Sequence, residues 1–411
     1  TKTIDVYANI KSGANAGTIP AIVDSTTGGT GKSTGNSTTI GSDLTLQTIT
    51  VGSGSLTVSR DPSTPVNANV VAGSTMVHVG KFDFAAGNSS YTIQELQVKI
   101  PADAATSVSN VTLKYKNSAG VEQTVSQALA LSSAAQTYAT ATFTGLTFSV
   151  PLNDNVDVDV YVDVPTTTSG AKSGAEISVT LDWNNGFKAV DAAGTSATTF
   201  GSADISSDST SGYGDKFVKK SVPTLTRLST GYTANTVSTG IGLYRFTVTA
   251  DAAGAIEWRE ITFEITTSGS NSFTAWSLYD VTGTATVVNS SAVETTAASN
   301  PFLLSICPDT SCTIGEAQQV GAGSSKTYEL RATVANWSSG DSIAISFDDD
   351  TAAIVNAAAA SLHSSYKMVW SDRSAASHTT ATTDWTNGYL VKDMDNDTRS
   401  CQAGDTTTCT P

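Results

Sequence analysis

Apolar and polar residues alternate along most of this chain with a period of two. The clearest run is 156–164. There Val156, Val158, Val160, Val162 and Val164 interleave with Asp157, Asp159, Tyr161 and Asp163. Successive side chains of an extended strand point to opposite faces, so the valines face a core and the acids and tyrosine face out. The same reading predicts strands over residues 91–100, 111–115, 243–249, 261–265 and 328–334. Clusters of Gly, Ser, Asn and Asp between them supply turns. No segment carries a long helical period. The Ala-rich stretch 356–361 has room for one helical turn or a loop.

The pattern repeats. Residues 79–84 match 243–248, residues 95–100 match 260–265, and residues 111–113 match 276–278, each about 165 positions apart. Inward positions stay apolar in both copies. Residues 55–57 match 224–226, which open the second copy. Each copy closes on a further strand pair, 156–164 with 175–181 in the first and 326–334 with 341–347 in the second.

That closing pair also stands at the start, where residues 3–10 read like 157–164 and residues 18–23 like 176–181. The chain therefore opens inside a repeat. Either it is cut from a longer tandem array, or its first strand, with Ile4, Val6, Ala8 and Ile10 on one face, completes another subunit. Pro20 suits an edge or a bulge. Two stretches rich in Gly, Ser and Thr, 27–42 and 194–214, read as connections. The predicted division is an N-terminal piece at 1–44, sandwich repeats at 45–207 and 208–391, and a polar tail at 392–411.

Composition narrows the function. The chain has 411 residues, enough for two or three sandwiches, with 39% hydrophobic and 14% charged residues. Abundant Thr and Val fit a pleated surface better than a helix. A net charge of −15 argues against a nucleic-acid partner, which needs clustered Lys and Arg, and is compatible with calcium. The longest apolar stretch, 352–362, is too short to span a bilayer. A chain starting at Thr1 with no visible leader points to processing.

Candidate chemistry is sparse. His78, His363 and His378 are scattered, with no nucleophile, base and orienting group converging, and no hydrolase, zinc-protease or nucleotide-binding motif occurs. The chain reads as no enzyme. Asp393, Asp395 and Asp397 have the alternate spacing of a calcium loop, although Thr398 stands where such a loop wants Gly. Asp348, Asp349 and Asp350 crowd a strand end, where a cation could relieve their repulsion; Asp348 and Asp350 are the candidate ligands. Cys307 with Cys312 and Cys401 with Cys409 lie in two close pairs without metal or redox spacing, which suggests two local disulfides formed in an oxidising compartment.

Two C-terminal segments stand out: Trp370-Ser371-Asp372, then His378, and Asp384-Trp385-Thr386-Asn387-Gly388-Tyr389-Leu390-Val391. They resemble a closing motif of large repetitive surface proteins, as residues 54–59 with 71–74 resemble an opening one. From about Thr45 to Val391 the chain resembles the tandem Ig-like domains of surface-layer-type proteins of candidate-phylum bacteria. The resemblance implies an exported, extracellular, non-catalytic building block, and it transfers no catalytic residue. The fold expected is all-β, with tandem Ig-like antiparallel β-sandwich domains. The function expected is a subunit of a surface layer or cell-surface filament, self-assembling into a homopolymer or lattice. The alternative is an adhesin or carbohydrate-binding module contacting the cell envelope or a glycan, which would need Trp370 and Trp385 exposed.

Overall fold

The computed structural model of the protein describes residues 5–11, 16–26, 28–39, 41–129, 137–208, 212–230, 240–289, 293–295, 300–308, 316–353, 366–394 and 399–402. Among these, the regular elements are strands, apart from two 3₁₀ turns at Ala105–Ser107 and Thr167–Ser169. The all-β class read from the alternation holds. No helix among the described residues is long and apolar enough to cross a membrane.

The N-terminal piece contributes β1 (Gly17–Ile19), β2 (Ile22–Val23), β3 (Gly29–Thr30), β4 (Ser37–Thr38), β5 (Leu44–Thr45) and β6 (Ile49–Val51). β1 pairs with β6 and β2 with β5, both antiparallel, so the two rows form a narrow two-stranded ladder. β3 and β4 form a short hairpin within its loop.

The first sandwich follows with β7 (Ser55–Arg60), β8 (Ala68–Val71), β9 (Val77–Gly87), β10 (Tyr91–Pro101), β11 (Asn110–Lys116), β12 (Glu122–Ala128) and β13 (Tyr138–Val150). It continues with β14 (Asn155–Asp163), β15 (Glu176–Ile177), β16 (Thr180–Leu181), β17 (Lys188–Asp191), β18 (Ser196–Ala197), β19 (Ile205–Ser206) and β20 (Lys216–Lys219). One layer has the order β12-β11-β14-β9-β7. The other centres on β10, which pairs with β13, β16 and β17; β19 extends it from β16.

The second sandwich has β21 (Pro223–Arg227), β22 (Ile241–Ala250), β23 (Ile256–Ser268), β24 (Ser272–Asp280), β25 (Thr286–Asn289), β26 (Val293–Thr295) and β27 (Phe302–Ile306). Then come β28 (Gln318–Val320), β29 (Ser325–Ala335), β30 (Ser342–Phe347), β31 (Met368–Ser371), β32 (Trp385–Asn387) and β33 (Arg399–Gln402). Its first layer runs β25-β24-β29-β22-β21, which is the order of the first sandwich strand for strand. Its second layer centres on β23, flanked by β27, β28, β30 and β31.

The repeat extends to an irregularity. The pairing of β10 shifts register between Ile93 and Glu95, and that of β23 between Trp258 and Glu260, the repeat-equivalent positions. A bulge bends a strand and raises its twist, so both central strands curve at the same point. The copies differ on one flank. β13 accompanies β10 along its whole length, whereas β27 and β28 share that course along β23 as two separate strands.

The alternation that predicted the strands also predicts the interior. Val158, Val160 and Val162 are fully buried, and the core they enter includes Phe82, Phe84 and Phe148. The second core gathers Phe246, Phe263, Trp258 and Tyr328. Outward positions pair across strands, as cross-strand neighbours do. Lys81 reaches Asp157 at 2.8 Å, and its repeat counterpart Arg245 reaches Glu329 at 3.8 Å.

Four expectations need correction. Residues 5–11 form no strand and are exposed, with no strand among the described residues pairing with them; Ile4 lies outside the described residues. The strand predicted over 176–181 is split into β15 and β16, because β15 pairs with β20 while β16 pairs with β10 and β19. The first sandwich does not end at 207, since β20 pairs in parallel with β8 and so extends it to Lys219. The second does not end at 391, because β33 pairs with β30 and Met394 is buried in the core. Gly- and Ser-rich composition marks loops, and the second such stretch carries β18 and β19 inside the first sandwich rather than separating the two copies.

Candidate functional site: the joint between the sandwiches

β20 leaves the first sandwich and Lys220 and Ser221 follow directly, leading into β21. The second sandwich meets this passage with the β31–β32 hairpin and the residues around it. Asp372, just after β31, is 1% exposed and is the centre of the contact. It accepts the Lys220 backbone N–H at 2.6 Å, the Ser173 hydroxyl at 2.5 Å and the Ser374 backbone N–H at 3.1 Å. Hydrogen bonds to an ionised carboxylate are among the stronger ones a protein makes. The Lys220 ammonium donates to the Arg373 carbonyl at 2.8 Å. Asn69 in β8 donates to the Tyr389 carbonyl at 3.0 Å, and the Phe217 ring of β20 meets the Tyr389 ring edge-on at 6.0 Å.

Lys219 sits at the core of this joint, with its ammonium 5.8 Å from the centre of the Trp370 ring. Burial lowers its pKa below the ordinary lysine value, and the negative charge of Asp372 works the other way. Cation, aromatic face and carboxylate therefore compensate one another in a place with little water.

The hairpin is itself held from behind. Trp370 donates its indole N–H to the Asn387 carbonyl at 2.8 Å, and the Asn387 amide donates to the Ala352 carbonyl at 2.8 Å. His378 bridges two carboxylates, Nδ1 to Asp384 and Nε2 to Glu257, both at 2.8 Å. Arg373 pairs with the other oxygen of Glu257. Burial works against the ionised form of Asp384, yet bonds from Thr382, Ala375 and His378 outweigh it and hold the carboxyl below its usual range. The two carboxylates hold the imidazole from both sides, and the Thr382 hydroxyl lies 3.4 Å from Nδ1.

A second buried polar group lies at the start of β20. Asp215 and Asn67 bond reciprocally, Asn67 Nδ2 to the Asp215 carboxylate at 3.2 Å and the Asp215 N–H to Asn67 Oδ1 at 2.8 Å. Gly214 has φ +92°, and its Cα packs so tightly against the Ser207 carbonyl that no side chain fits there. Burial, then the charges of Asp208 and Glu176, push the Asp215 carboxyl up to about 7. Burial pushes the neighbouring Lys216 down to about 8, and its ammonium donates to the Val66 carbonyl.

The residues singled out in the sequence fall into place unevenly. Asp348 pairs with Lys367 at 2.7 Å. Asp350 is buried, and burial raises its pKa above the usual carboxylate value although backbone N–H groups of Lys367, Met368 and Gly388 bond to it and work the other way. Among the described residues no three His, Cys, Asp or Glu side chains converge as a metal site. Asp393 is an exposed residue at φ 63°, and Asp395 and Asp397 lie outside the described residues. Cys307 is buried and disulfide-bonded, while Cys312, Cys409 and the side chain of Cys401 lie outside the described residues. His78 lies 3.0 Å from Asp159 and stacks on Tyr161; His363 is outside the described residues. Trp370 and Trp385 are both 0% exposed, so neither ring can stack on a sugar.

Nothing local in the sequence marks the joint. Ser173 and Asp372 are 199 positions apart, and neither carries a distinctive local pattern. The available signal was a run of polar residues, Asp372, His378 and Asp384, set among tryptophans. Such polar groups persist in a core only when they are bonded.

The chain matches no family model and no curated protein. Solved structures to which it is similar include the C-terminal domain of the AgI/II polypeptide BspA of Streptococcus agalactiae, at 10% identity over 72% of this chain and 95% of that one, with a TM-score of 0.18. The B domain of a biofilm-associated protein aligns at 10% identity over 71% and 81%, TM-score 0.21. Red sea bream transglutaminase aligns at 9% identity over 72% and 29%, TM-score 0.22. These are loose likenesses.

Proposed function

We propose that the protein is an extracellular structural protein, a subunit of a surface layer or cell-surface filament. Its two sandwiches supply length and its buried joint supplies stiffness. The observation that carries this reading is Asp372. One carboxylate of the second sandwich is sunk among a hydroxyl and a backbone amide belonging to the first sandwich and its exit, where a flexible linker would be solvated. Conspicuous polar clusters that lock modules together suit mechanical work, and among the described residues they are engaged in structural bonds. Self-assembly into a homopolymer or lattice, calcium at Asp393, Asp395 and Asp397, and disulfides within the two cysteine pairs belong to the same proposal. Burial of Trp370 and Trp385 removes the ground for the carbohydrate-binding alternative at those rings.

Small-angle X-ray scattering of the purified chain tests the reading. It should give one narrow distribution of length, set by two sandwiches at a fixed angle. A broad distribution, as from two bodies on a tether, would refute it. Melting with and without a chelator tests calcium, and no shift in Tm would remove the ion from the proposal.

A further inference from the structure

The N-terminal ladder has a twin inside the first sandwich. β1 pairing with β6 repeats β15 pairing with β20, and β2 pairing with β5 repeats β16 pairing with β19, in the same chain order and the same antiparallel sense. In the twin, Ile177 and Leu181 are 0% exposed. In the N-terminal ladder, Ile19 is 39% and Val23 38% exposed, with Leu44 and Ile49 bare beside them. Eight of the fourteen exposed large apolar side chains of the described residues lie before residue 52.

The segment 5–11 is bare as well, with Val6 61% and Tyr7 88% exposed. Its repeat mate is β14, which belongs to the five-stranded layer while β16 belongs to the layer around β10, and the β14 valines share one buried core with Leu181. A cover and the surface it would cover are thus both present and both unused. An isolated two-stranded ladder is marginal in water, so an occupant is called for.

We infer that the occupant is a second copy of this chain: residues 5–11 of each copy lie over the apolar face of the ladder β1, β2, β5 and β6 of the other. This inference rests on the structural role proposed above and names one contact of the assembly. Two observations favour a second copy. Residues 17–23 and 44–51 contain no charged residue in a chain of net charge −15, so this is a face where two copies can approach with little repulsion. Val6 and Ile10 share one face of the segment, and Ile19, Val23, Leu44 and Ile49 one face of the ladder; covering these on both copies removes on the order of 1,000 Å² of surface in all, the size at which specific interfaces begin. The exchange is reciprocal, so it joins two rods at their N-terminal ends.

Sedimentation velocity of the full chain over a range of concentrations tests it. The wild type should pass from monomer to dimer. The donor variant Val6→Asp/Ile10→Asp and the acceptor variant Ile19→Asp/Ile49→Asp should each stay monomeric at concentrations where the wild type is paired. All four positions are exposed, so both variants should keep the wild-type Tm of the sandwiches. An equimolar mixture of the two variants retains one intact exchange and should recover part of the dimer. A wild type that is monomeric throughout, or an acceptor variant that still pairs, overturns the inference. A monomer with a narrow length distribution would overturn the exchange alone and leave the rigid joint standing.

Discussion

The twin ladders share their order of strands and their alternation, yet one is dry and the other is wet. Leu181 of β16 is bounded by β10 on one side and β19 on the other, with the five-stranded layer packed across its face. Val23 of β2 has β5 as its only strand neighbour among the described residues. The pattern of a strand specifies which face is apolar; it does not supply what lies against that face. The driving force scales with apolar area withdrawn from water, so the same letters contribute stability in one place and an adhesive surface in the other.

The largest effect that should separate the twins is truncation in the dry one. Leu181→Ala should cost about 2–5 kcal/mol, read as a lower urea midpoint for the first sandwich, because the cavity is closed on all sides. If it cost no more than a surface change, the contrast between the ladders would fail.

Asp372→Ala should come next. It removes the acceptor that the Ser173 hydroxyl and the Lys220 N–H share and the charge that compensates Lys219, a loss of about 1–3 kcal/mol. Its distinguishing sign is a broadened length distribution by X-ray scattering, which Leu181→Ala should leave narrow.

The dry ladder should also respond to pH through Asp215, at the head of β20. Its carboxyl titrates at about 7 in the fold, against about 3.9 in an unfolded chain. The folded state therefore holds this proton more tightly. The contribution of Asp215 is complete below about pH 4 and is lost as pH rises through 7. Between pH 4 and 8 the Tm of the first sandwich should fall, and Asp215→Asn should flatten that slope. An unchanged slope in the variant would assign the pH response to other groups. The bare ladder, without charged residues, should add nothing to it.

The smallest effect is expected from Val23→Ala in the monomer, within about 0.5 kcal/mol, as for surface changes in general. A larger cost at protein concentrations where the chain pairs would sharpen the comparison, since the side chain would then be covered.

Strands and their repetition were legible because both are local comparisons. Val158, Val160 and Val162 declare their face within seven residues, and the match of 95–100 to 260–265 needs only the chain itself. The joint was not legible, because its chemistry exists only when Asp372 meets Ser173 and Lys220. The aspartates at 348–350 show the limit from the other side. The sequence offers three acids and suggests a cation, but the fold supplies Lys367 to Asp348 and three backbone amides to Asp350. Backbone donors leave no trace in the letters. Residues 5–10 show a related limit: alternation is a capacity to pair, and pairing needs a neighbour.

β20 has a further consequence. It runs parallel to β8 through Lys216–Lys219 and pairs on its other side with β15, so the segment leading to the second sandwich is stitched along both edges before it leaves the first. When tension pulls the two sandwiches apart, the bonds to β8 are strained side by side, in shear, and must give way nearly together. They cannot be unzipped one at a time from an end. The protein is thus most resistant to rupture along the direction in which a filament or a sheet would be stretched.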